Sequence, residues 1–278
     1  MQKSPNISNP RHPLADYLRQ QRDHLWAALI FFTRLPFWRL YQPPQSSYAA
    51  VVEWWPLAGW VTGAIMAAVL LACSLVLPYG IALLLAIVAR LLTTGALHED
   101  GLADFFDAFG GGGTNRERIL SIMKDSHIGT YGGASLILYF ALLFAALWSL
   151  PQEVAPWAIM AADPFAKMVS SQLILMMPYA RTAETAKSRT VYRRPSTTAG
   201  VLLAVQGLLP LALFLWLTDG IADWSLPIFI PCLVMYFLYR LIWSRLKGYT
   251  GDCCGAVCLL VELSFLISLN ISHGGFID

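Results

Sequence analysis

Residues 55–77 read WPLAGWVTGAIMAAVLLACSLVL, 23 consecutive positions without a charged side chain. A helix of this length covers the hydrocarbon core of a bilayer, because crossing it takes about 20 apolar residues. Lipid offers the backbone no hydrogen-bond partners, so such a segment must be helical. The stretch therefore predicts a membrane-spanning helix, and it indicates the fold class of the chain.

Further apolar segments repeat this pattern on the C-terminal side. Of the 278 residues, 57% are hydrophobic and only 13% are charged, whereas soluble domains carry about 25% charged residues. The sequence therefore predicts an all-α fold, a polytopic membrane helical bundle with about seven transmembrane helices. The spans are expected at residues 55–77, 79–97, 131–150, 154–178, 199–218, 225–243 and 252–270.

The polar segment before the first span lacks the apolar core of a signal peptide. Within it, Leu14–Arg34 is amphipathic and its apolar part is too short to span, which predicts an interfacial helix. A second amphipathic helix is expected on the cytoplasmic side within Arg116–Gly132. With neither a repeat nor a separate soluble domain, the chain is expected to form a single membrane domain, residues 1–278. Its functional parts would be the N-terminal segment, 1–40, and an active-site segment, 98–130.

The basic residues alternate between connections. Seventeen of the 19 Lys and Arg residues lie in the N-terminal segment, in the connections that follow the second, fourth and sixth spans or, for Arg240, in the last turn of the sixth span. Cytoplasmic loops carry the excess of Lys and Arg. We therefore expect the N-terminus in the cytoplasm, the C-terminus outside after seven spans, and a site that faces the cytoplasm.

The run HEDGLADFFD, residues 98–107, directly follows the second span. Asp100, Asp104 and Asp107 recur at helical spacing, so on a continuing helix they share one face. Carboxylates on one face repel one another unless a partner neutralises them, and they suit hard cations such as Mg²⁺. The run predicts either a metal site or a solvated acidic helix end.

A second acidic element, GYTGDCCGA at residues 248–256, opens the last span. Asp252 stands near a helix N-terminus, where Asp is also a favoured cap. Gly255 and Ala256 lie on its face and permit close packing with another helix. If that helix is the second span, Asp252 joins the acidic cluster at the same depth.

The connection between these elements offers polar candidates of its own. Lys124, Asp125 and Ser126 are either the polar end of the amphipathic helix or a site in which Lys124 contacts phosphate. Asp125 would then be a metal ligand or a base. The preceding Gly110–Gly113 run is expected to be a flexible connector.

Four ionisable residues, Arg90, Asp163, Lys167 and Glu262, lie well inside the apolar spans, where such groups normally face a partner or an aqueous cavity. Lys167 has two rival partners: Asp163, four residues earlier, and Glu262 at a matched depth. No partner is indicated by the sequence for Arg90. Structural pairing and a polar substrate cavity both stay open for this group.

The connection from Tyr179 to Ser196 has five basic residues against one acid. This excess has two interpretations. It satisfies the positive-inside rule and attraction to anionic lipid, or it forms a lid over an anionic substrate.

Four motifs occur together over most of the chain: FFTRLP at 31–36, HEDGLADFFD at 98–107, RERILSIMKDSHIGTYG at 116–132 and TGDCCGA at 250–256. With these motifs the chain resembles the cobalamin synthase family, the adenosylcobinamide-GDP ribazoletransferases. The resemblance implies that the ribose 3′-hydroxyl of α-ribazole, or of its 5′-phosphate, attacks the cobinamide-side phosphorus of adenosylcobinamide-GDP. GMP leaves, and adenosylcobalamin or its 5′-phosphate forms.

The same resemblance implies Mg²⁺ as cofactor and the bacterial inner membrane as location. The expected partners are the two substrates and the lipid bilayer, with no nucleic acid; a homo-oligomer stays open. Displacement at a diphosphate builds charge that metal ions neutralise, and the hydroxyl nucleophile needs a base. We expect metal ligands at Asp100, Asp104 and Asp252, catalytic residues among His98, Asp107 and Asp125, and substrate-binding residues at Lys124, Ser126, Lys167 and Arg181. Whether Asp107 or Asp125 is ligand or base stays open.

Two alternatives use the same residues differently. A CDP-alcohol phosphotransferase making a phospholipid has a similar acidic motif, but it would carry Arg where Asp104 stands and a second aspartate pair. An ion-coupled transporter would use the ionisable residues within the spans as its pathway. Transporters often show internal repeats with sites near the midplane, whereas here the acids concentrate at one surface.

Overall fold

The computed structural model describes residues 13–181, 192–218 and 225–273. Within these ranges the chain is helical, and the one β-type contact is an isolated bridge between Tyr179 and Tyr249. Two 3₁₀ helices, Phe37–Arg39 and Gln45–Trp54, connect the first two α-helices. The α-helices are α1 Pro13–Phe32, α2 Trp55–Ser74, α3 Tyr79–Thr94, α4 Leu97–Gly111, α5 Arg116–Ile122, α6 Thr130–Trp148, α7 Ala155–Met176, α8 Thr197–Leu217, α9 Ser225–Leu246 and α10 Gly251–His273.

Each of the seven expected spans lies on one of these helices, which confirms the polytopic all-α prediction. By length and composition, five helical segments of the described residues can cross a membrane, or six if a bent pair counts as one span. α7 is not among them, since Asp163, Pro164 and Lys167 interrupt its apolar sequence. The five segments are Gln45–Ser74, Thr130–Trp148, Thr197–Leu217, Ser225–Leu246 and Gly251–Ser272.

The acidic run does not continue the second span, contrary to expectation. α3 and α4 meet at 89°, because Gly95 (φ 66°) and Ala96 (φ 56°) both adopt the left-handed conformation. The N–H of Ala96 bonds the carbonyl of Leu91 at 3.1 Å, which closes the last turn of α3 as left-handed residues commonly do. The acidic face of α4 is therefore directed independently of α3.

The glycine run after the acidic face is not a free connector. α4 extends to Gly111, and a Cβ at Gly112 would lie 2.5 Å from the side chain of Ile119 on α5. The glycines therefore allow α4 and α5 to pack closely. α5 itself ends at Ile122, so the amphipathic helix covers only the first part of Arg116–Gly132.

α7 and α10 form the centre of the bundle. α7 contacts α2, α8 and α10, while α10 also contacts α4 and α9. At the crossing of α2 and α7, a Cβ at Gly59 would lie 3.0 Å from the backbone nitrogen of Pro164. Small residues let helices approach this closely in lipid, where packing drives association.

The ionisable residues of the spans are paired in the interior. Lys167 bonds Asp163 of its own helix, and Arg90 donates to Glu262 at 2.5 Å. These contacts decide between the two partners expected for Lys167: its partner is Asp163, because Arg90 on α3 occupies Glu262.

Candidate active site

A cavity of about 280 Å³ opens where the C-terminal end of α1 meets the N-terminal ends of α2, α4 and α10. Asp100 and Asp252 contribute carboxylates to its wall, Arg181 a guanidinium and His98 an imidazole. These four residues come from three distant segments of the sequence, and all four belong to the expected site. The fold therefore brings two of the predicted metal ligands, one predicted catalytic residue and one predicted substrate-binding residue to a single cavity.

The two carboxylates share the cavity because α4 and α10 approach closely. A Cβ at Gly101 would lie 3.1 Å from the Cα of Asp252, and one at Gly255 would lie 3.3 Å from the Cα of His98. Each helix thus places a glycine against the backbone of the other. This confirms the expected packing of Asp252 against the acidic helix.

Thr250 provides the cap of α10. Its Oγ1 accepts the backbone N–H of Cys253 at 3.2 Å, which satisfies one of the orphan donors at a helix start. Asp252, two residues further, lies in the first turn and lines the cavity. Its carboxylate also gains from the positive end of the helix dipole.

The three aspartates of α4 have different surroundings. Asp100 is exposed and faces the cavity, whereas Asp104, one turn further, is 8% exposed and does not line it. Asp107 accepts the backbone N–H groups of Gly129 at 2.6 Å and Gly132 at 2.8 Å. Asp107 thus caps the start of α6, and its catalytic role stays a prediction.

His98 lies beside two aromatic rings. Its ring lies nearly parallel to those of Trp55 (8°, centroids 5.9 Å apart) and Phe32 (10°, 6.3 Å). The indole Nε1–H of Trp55 points to His98 Nε2 at 3.4 Å. Because an indole nitrogen can only donate, Nε2 accepts and Nδ1 carries the proton of the neutral ring.

Arg181 is fixed by the backbone of a neighbouring helix. Its Nη2 donates to the carbonyl of Leu120 at 2.8 Å, which leaves the guanidinium at the cavity wall. Arg116 ties the same region together through the carbonyls of Ala180 at 2.5 Å and Leu246 at 2.9 Å. A cation expected to bind substrate is therefore held in place before substrate arrives.

The remaining residues of the expected lid have other surroundings or lie outside the described ranges. Arg193 donates to Glu53 at 2.7 Å, and His24 lies 3.4 Å from the other oxygen of that carboxylate. Lys187 and Arg189 lie outside the described residues. The guanidinium of Arg193 is thus engaged in anchoring its connection to the start of the bundle.

A second, more open groove of about 380 Å³ lies at the other end of α4, between Asp107 and Asp125. His127 Nδ1 lies 2.6 Å from Asp125, and this hydrogen bond lowers the pKa of the Asp125 carboxyl. Lys124 and Ser126 are exposed on the same turn. These expected site residues therefore do not reach the cavity that Asp100 and Asp252 share.

Lys167 lies in the protein interior. It is 4% exposed and paired with Asp163, and it does not line the cavity. Its expected contact with substrate stays a prediction. The ion pair lies within α7, and Thr62 of α2 donates a hydrogen bond to the same Asp163 at 2.5 Å.

Sequence reasoning missed the aromatic side of the cavity. Phe31, Phe32, Trp55, Tyr179 and Tyr192 all line it, and burial raises the pKa of the Tyr192 phenol well above its usual range. The available signal was the FFTRLP motif, whose two phenylalanines end α1 at the cavity. Trp55 belongs to an apolar span, where the sequence alone does not distinguish an aromatic residue that lines a cavity from one that packs against lipid or another helix.

The donor set fits a magnesium ion only together with substrate. Among the described residues, no group of three His, Cys, Asp or Glu side chains is arranged to hold a metal. Asp100 and Asp252 nevertheless line one cavity from two helices. Mg²⁺ is commonly bound by one or two carboxylates, waters and substrate phosphates, so these two residues suit it when a diphosphate is present.

The sequence matches a known protein family over most of its length. A family model described as "Cobalamin-5-phosphate synthase" matches residues 24–270. A protein of Leptospira interrogans named "Adenosylcobinamide-GDP ribazoletransferase" is 33% identical over 260 residues, covering 92% of this chain and 97% of that protein. Its namesake in Shewanella frigidimarina is 36% identical over 262 residues, covering 91% and 96%. No solved structure matches the chain.

Proposed function

The chain belongs to the cobalamin-5-phosphate synthase family, and from this membership we infer that it is an adenosylcobinamide-GDP ribazoletransferase. It joins α-ribazole to adenosylcobinamide-GDP, releases GMP and forms the cobalamin product. Whether the nucleoside carries a 5′-phosphate is left to experiment. The observation that connects this activity to the structure is the shared cavity of Asp100 and Asp252.

The reaction replaces a phosphoanhydride bond with a phosphate ester bond. The ribose 3′-oxygen of α-ribazole forms a bond to the cobinamide-side phosphorus, and the bond from that phosphorus to the bridging oxygen breaks. The bridging oxygen leaves with GMP, and the hydroxyl proton passes to a base. Asp107 and Asp125 stay our predictions for the base, although in this conformation both line the second groove.

The cavity residues bind and orient the diphosphate. Arg181 offers a fixed guanidinium, which is a geometric match for phosphate oxygens. His98 offers its Nδ1–H, because Nε2 is turned toward Trp55. We therefore propose that His98 donates a hydrogen bond to a phosphoryl or ribose oxygen, and that it does not act as the base.

The cofactor in this proposal is Mg²⁺, held by Asp100 and Asp252 with Asp104 behind them. When bound, the cation neutralises negative charge on the diphosphate oxygens. The two carboxylates come from different helices, so the α4–α10 contact at Gly101 and Gly255 fixes their separation. Asp104 is buried one helical turn from Asp100, and we propose that it supports the part of α4 that carries Asp100.

We further propose that the site faces the cytoplasm of a bacterial cell, from the inner membrane, with the N-terminus on the same side. The support is that three basic connections meet beside the cavity. Arg116, Arg181 and Arg245 bond backbone carbonyls of Leu246, Leu120 and Phe109, respectively. Connections that touch one another lie on one side of the membrane, and an excess of Lys and Arg marks the cytoplasmic side.

The test is GMP release by the membrane-embedded enzyme from adenosylcobinamide-GDP, with α-ribazole and Mg²⁺. We expect Asp100→Asn and Asp252→Asn each to lower kcat by about 10²–10³-fold, as losses of transition-state charge stabilisation do. Removing Mg²⁺ with a chelator should abolish turnover, and adding Mg²⁺ back should restore it.

Asp16→Asn is the matched control, because Asp16 is exposed on α1 away from the cavity. Its kcat should stay at the wild-type value. Near-normal kcat in Asp100→Asn or Asp252→Asn at saturating Mg²⁺ would reject the metal assignment. Absence of GMP release from the wild-type enzyme would reject the activity itself.

A further inference from the structure

One side of the cavity is built from aromatic rings, which we call the aromatic wall: Phe31, Phe32, Trp55 and Tyr192. The rings of Phe32 and Trp55 are nearly parallel, with an interplanar angle of 12° and centroids 5.3 Å apart. Phe31 meets Phe32 edge-on at 4.9 Å and Tyr192 edge-on at 6.2 Å. The wall is therefore a connected set of rings, and each member also lines the cavity.

The wall is rigid as well as apolar. Phe32 is 4% and Trp55 3% exposed, so their rings are fixed by packing, and the indole of Trp55 is further oriented by His98. Val52 continues the apolar surface beside them. A surface that is already ordered loses little conformational entropy when a flat ligand stacks on it.

Polar residues line another part of the same cavity. Asp100, Gly251 and Asp252 line it, and the two aspartates are the residues assigned to the Mg²⁺ that accompanies the diphosphate. The cavity thus offers an aromatic surface and a charged surface that face a common space. A ligand that fills it must have a flat apolar end and a polar end that reaches the reacting phosphorus.

The size of the cavity restricts which substrate can enter. Its volume of about 280 Å³ is slightly below that of typical small-molecule sites, which span about 300–1,000 Å³. One nucleoside suits this volume. A corrin ring with its amide side chains is much larger, so the cobinamide part must stay outside.

Two aromatic bases take part in the reaction: the base of ribazole and the guanine of GDP. Guanine carries hydrogen-bonding groups along its edges, and burying them against phenylalanine without partners costs free energy. The ribazole base has an apolar periphery. The composition of the wall therefore favours the ribazole base over guanine.

Resting on the proposed function, we propose that the aromatic wall is the subsite for the base of ribazole and that its rings determine which bases are accepted. Stacked there, the base directs its ribose toward Asp100 and Asp252, where the 3′-hydroxyl meets the diphosphate. Phe31 and Tyr192 are half-buried at the rim, so they are the members that can be changed with least effect on folding.

The experiment compares Phe31→Leu with Phe31→Tyr in the membrane-embedded enzyme. Loss of a stacking ring weakens base binding roughly tenfold. We therefore expect Phe31→Leu to raise the KM for α-ribazole, and its Kd measured without adenosylcobinamide-GDP, by about that factor. Phe31→Tyr keeps the ring and should retain both wild-type values.

Two further measurements separate the base of ribazole from guanine. The KM for adenosylcobinamide-GDP and the inhibition constant for GMP should be unchanged in Phe31→Leu. If they rise while the values for α-ribazole stay constant, guanine occupies the wall and the proposal is overturned. Unchanged values for all three ligands would overturn it as well.

Phe140→Leu is the matched control, because Phe140 is a half-buried ring on α6 that packs on Tyr139, 5.2 Å away, and does not line the cavity. Its KM for α-ribazole should equal the wild-type value. Release of GMP by the wild-type enzyme reports on the proposed function alone, so a failure of that assay is distinct from a failure of the base subsite.

Discussion

Arg90 carries the only charge in α3 and joins four helices through its guanidinium. It donates to Glu262 of α10 at 2.5 Å and to the Tyr139 hydroxyl of α6 at 2.6 Å, and it lies 4.0 Å from Glu99 of α4. A charge within a span is costly unless it meets such partners. The contacts connect the spans directly to the helix that carries the acidic face.

We expect Glu262→Gln to destabilise the protein by about 3 kcal/mol, because breaking this buried ion pair leaves the Arg90 charge with only the more distant carboxylate of Glu99. The measurement is thermal unfolding in detergent, where the apparent Tm should fall. Arg240→Gln is the control, since Arg240 is exposed on α9. An unchanged Tm for Glu262→Gln would show that the pair contributes nothing to stability.

Sequence reasoning identified the ionisable residues of the spans but not all of their partners. The spacing of Asp163 and Lys167 makes pairing within a helix possible, and the structure confirms that pair. The Arg90–Glu262 pair was not expected, because its members are 172 residues apart. Such a contact depends on which helices are neighbours, and periodicity within one helix does not contain that information.

Among the elements, the corner between α3 and α4 has the largest effect on the site. Its 89° bend turns the acidic helix away from the direction of α3. Arg34, from the FFTRLP motif, packs over this corner: its backbone N–H bonds Thr93 at 2.6 Å. The motif therefore supports the corner as well as providing two rings of the aromatic wall.

We expect Gly95→Ala to lower stability by at least about 1 kcal/mol, the cost of placing a side chain in the left-handed conformation. A Cβ there would also lie 2.3 Å from Arg34 Nε. Ala96→Gly is the matched control, because it removes a Cβ from a residue with the same handedness (φ 56°). Thermal unfolding of the two variants should differ clearly; equal Tm values would argue against a strained corner.

The helices themselves could be predicted from sequence, but the corner could not. Long apolar runs indicate helices because lipid leaves the backbone no alternative. The break, in contrast, depends on Ala96, a residue type that seldom adopts positive φ. Gly95 is a sign that α3 can end before the acidic run, since glycine commonly ends a helix in this conformation, but nothing in the local sequence indicates that Ala96 adopts the same conformation and so produces the corner.

Considered as a whole, the molecule brings its distant motifs to one end of the bundle. The α1 end, the α4 start, the Tyr179–Arg181 segment and the α10 start all line one cavity. The motifs indicated from sequence that these segments share a function. The walls of the cavity require the complete packing, so the aromatic side could not be found by spacing alone.

The orientation in the membrane leads to a prediction for reporter fusions. A fusion after Ser188 should read cytoplasmic and one after Gly220 external, because α8 lies between them and the basic connections gather beside the site. A third fusion, at Asp278, separates seven spans from six, since only an odd number places the C-terminus outside. The reverse readings at Ser188 and Gly220 would invert the proposed orientation.

At the crossing of α4 and α10, the reach between the two halves of the site is set by a single hydrogen atom on Gly101. A methyl group in its place would start 3.1 Å from the Cα of Asp252, so one helix would have to move away from the other. The side chain at position 101 therefore sets the distance between α4 and α10, and with it the distance between the two carboxylates, without altering their charge. Because Gly101 itself does not line the cavity, a larger side chain there is a way to widen the space between the two carboxylates without replacing a lining residue.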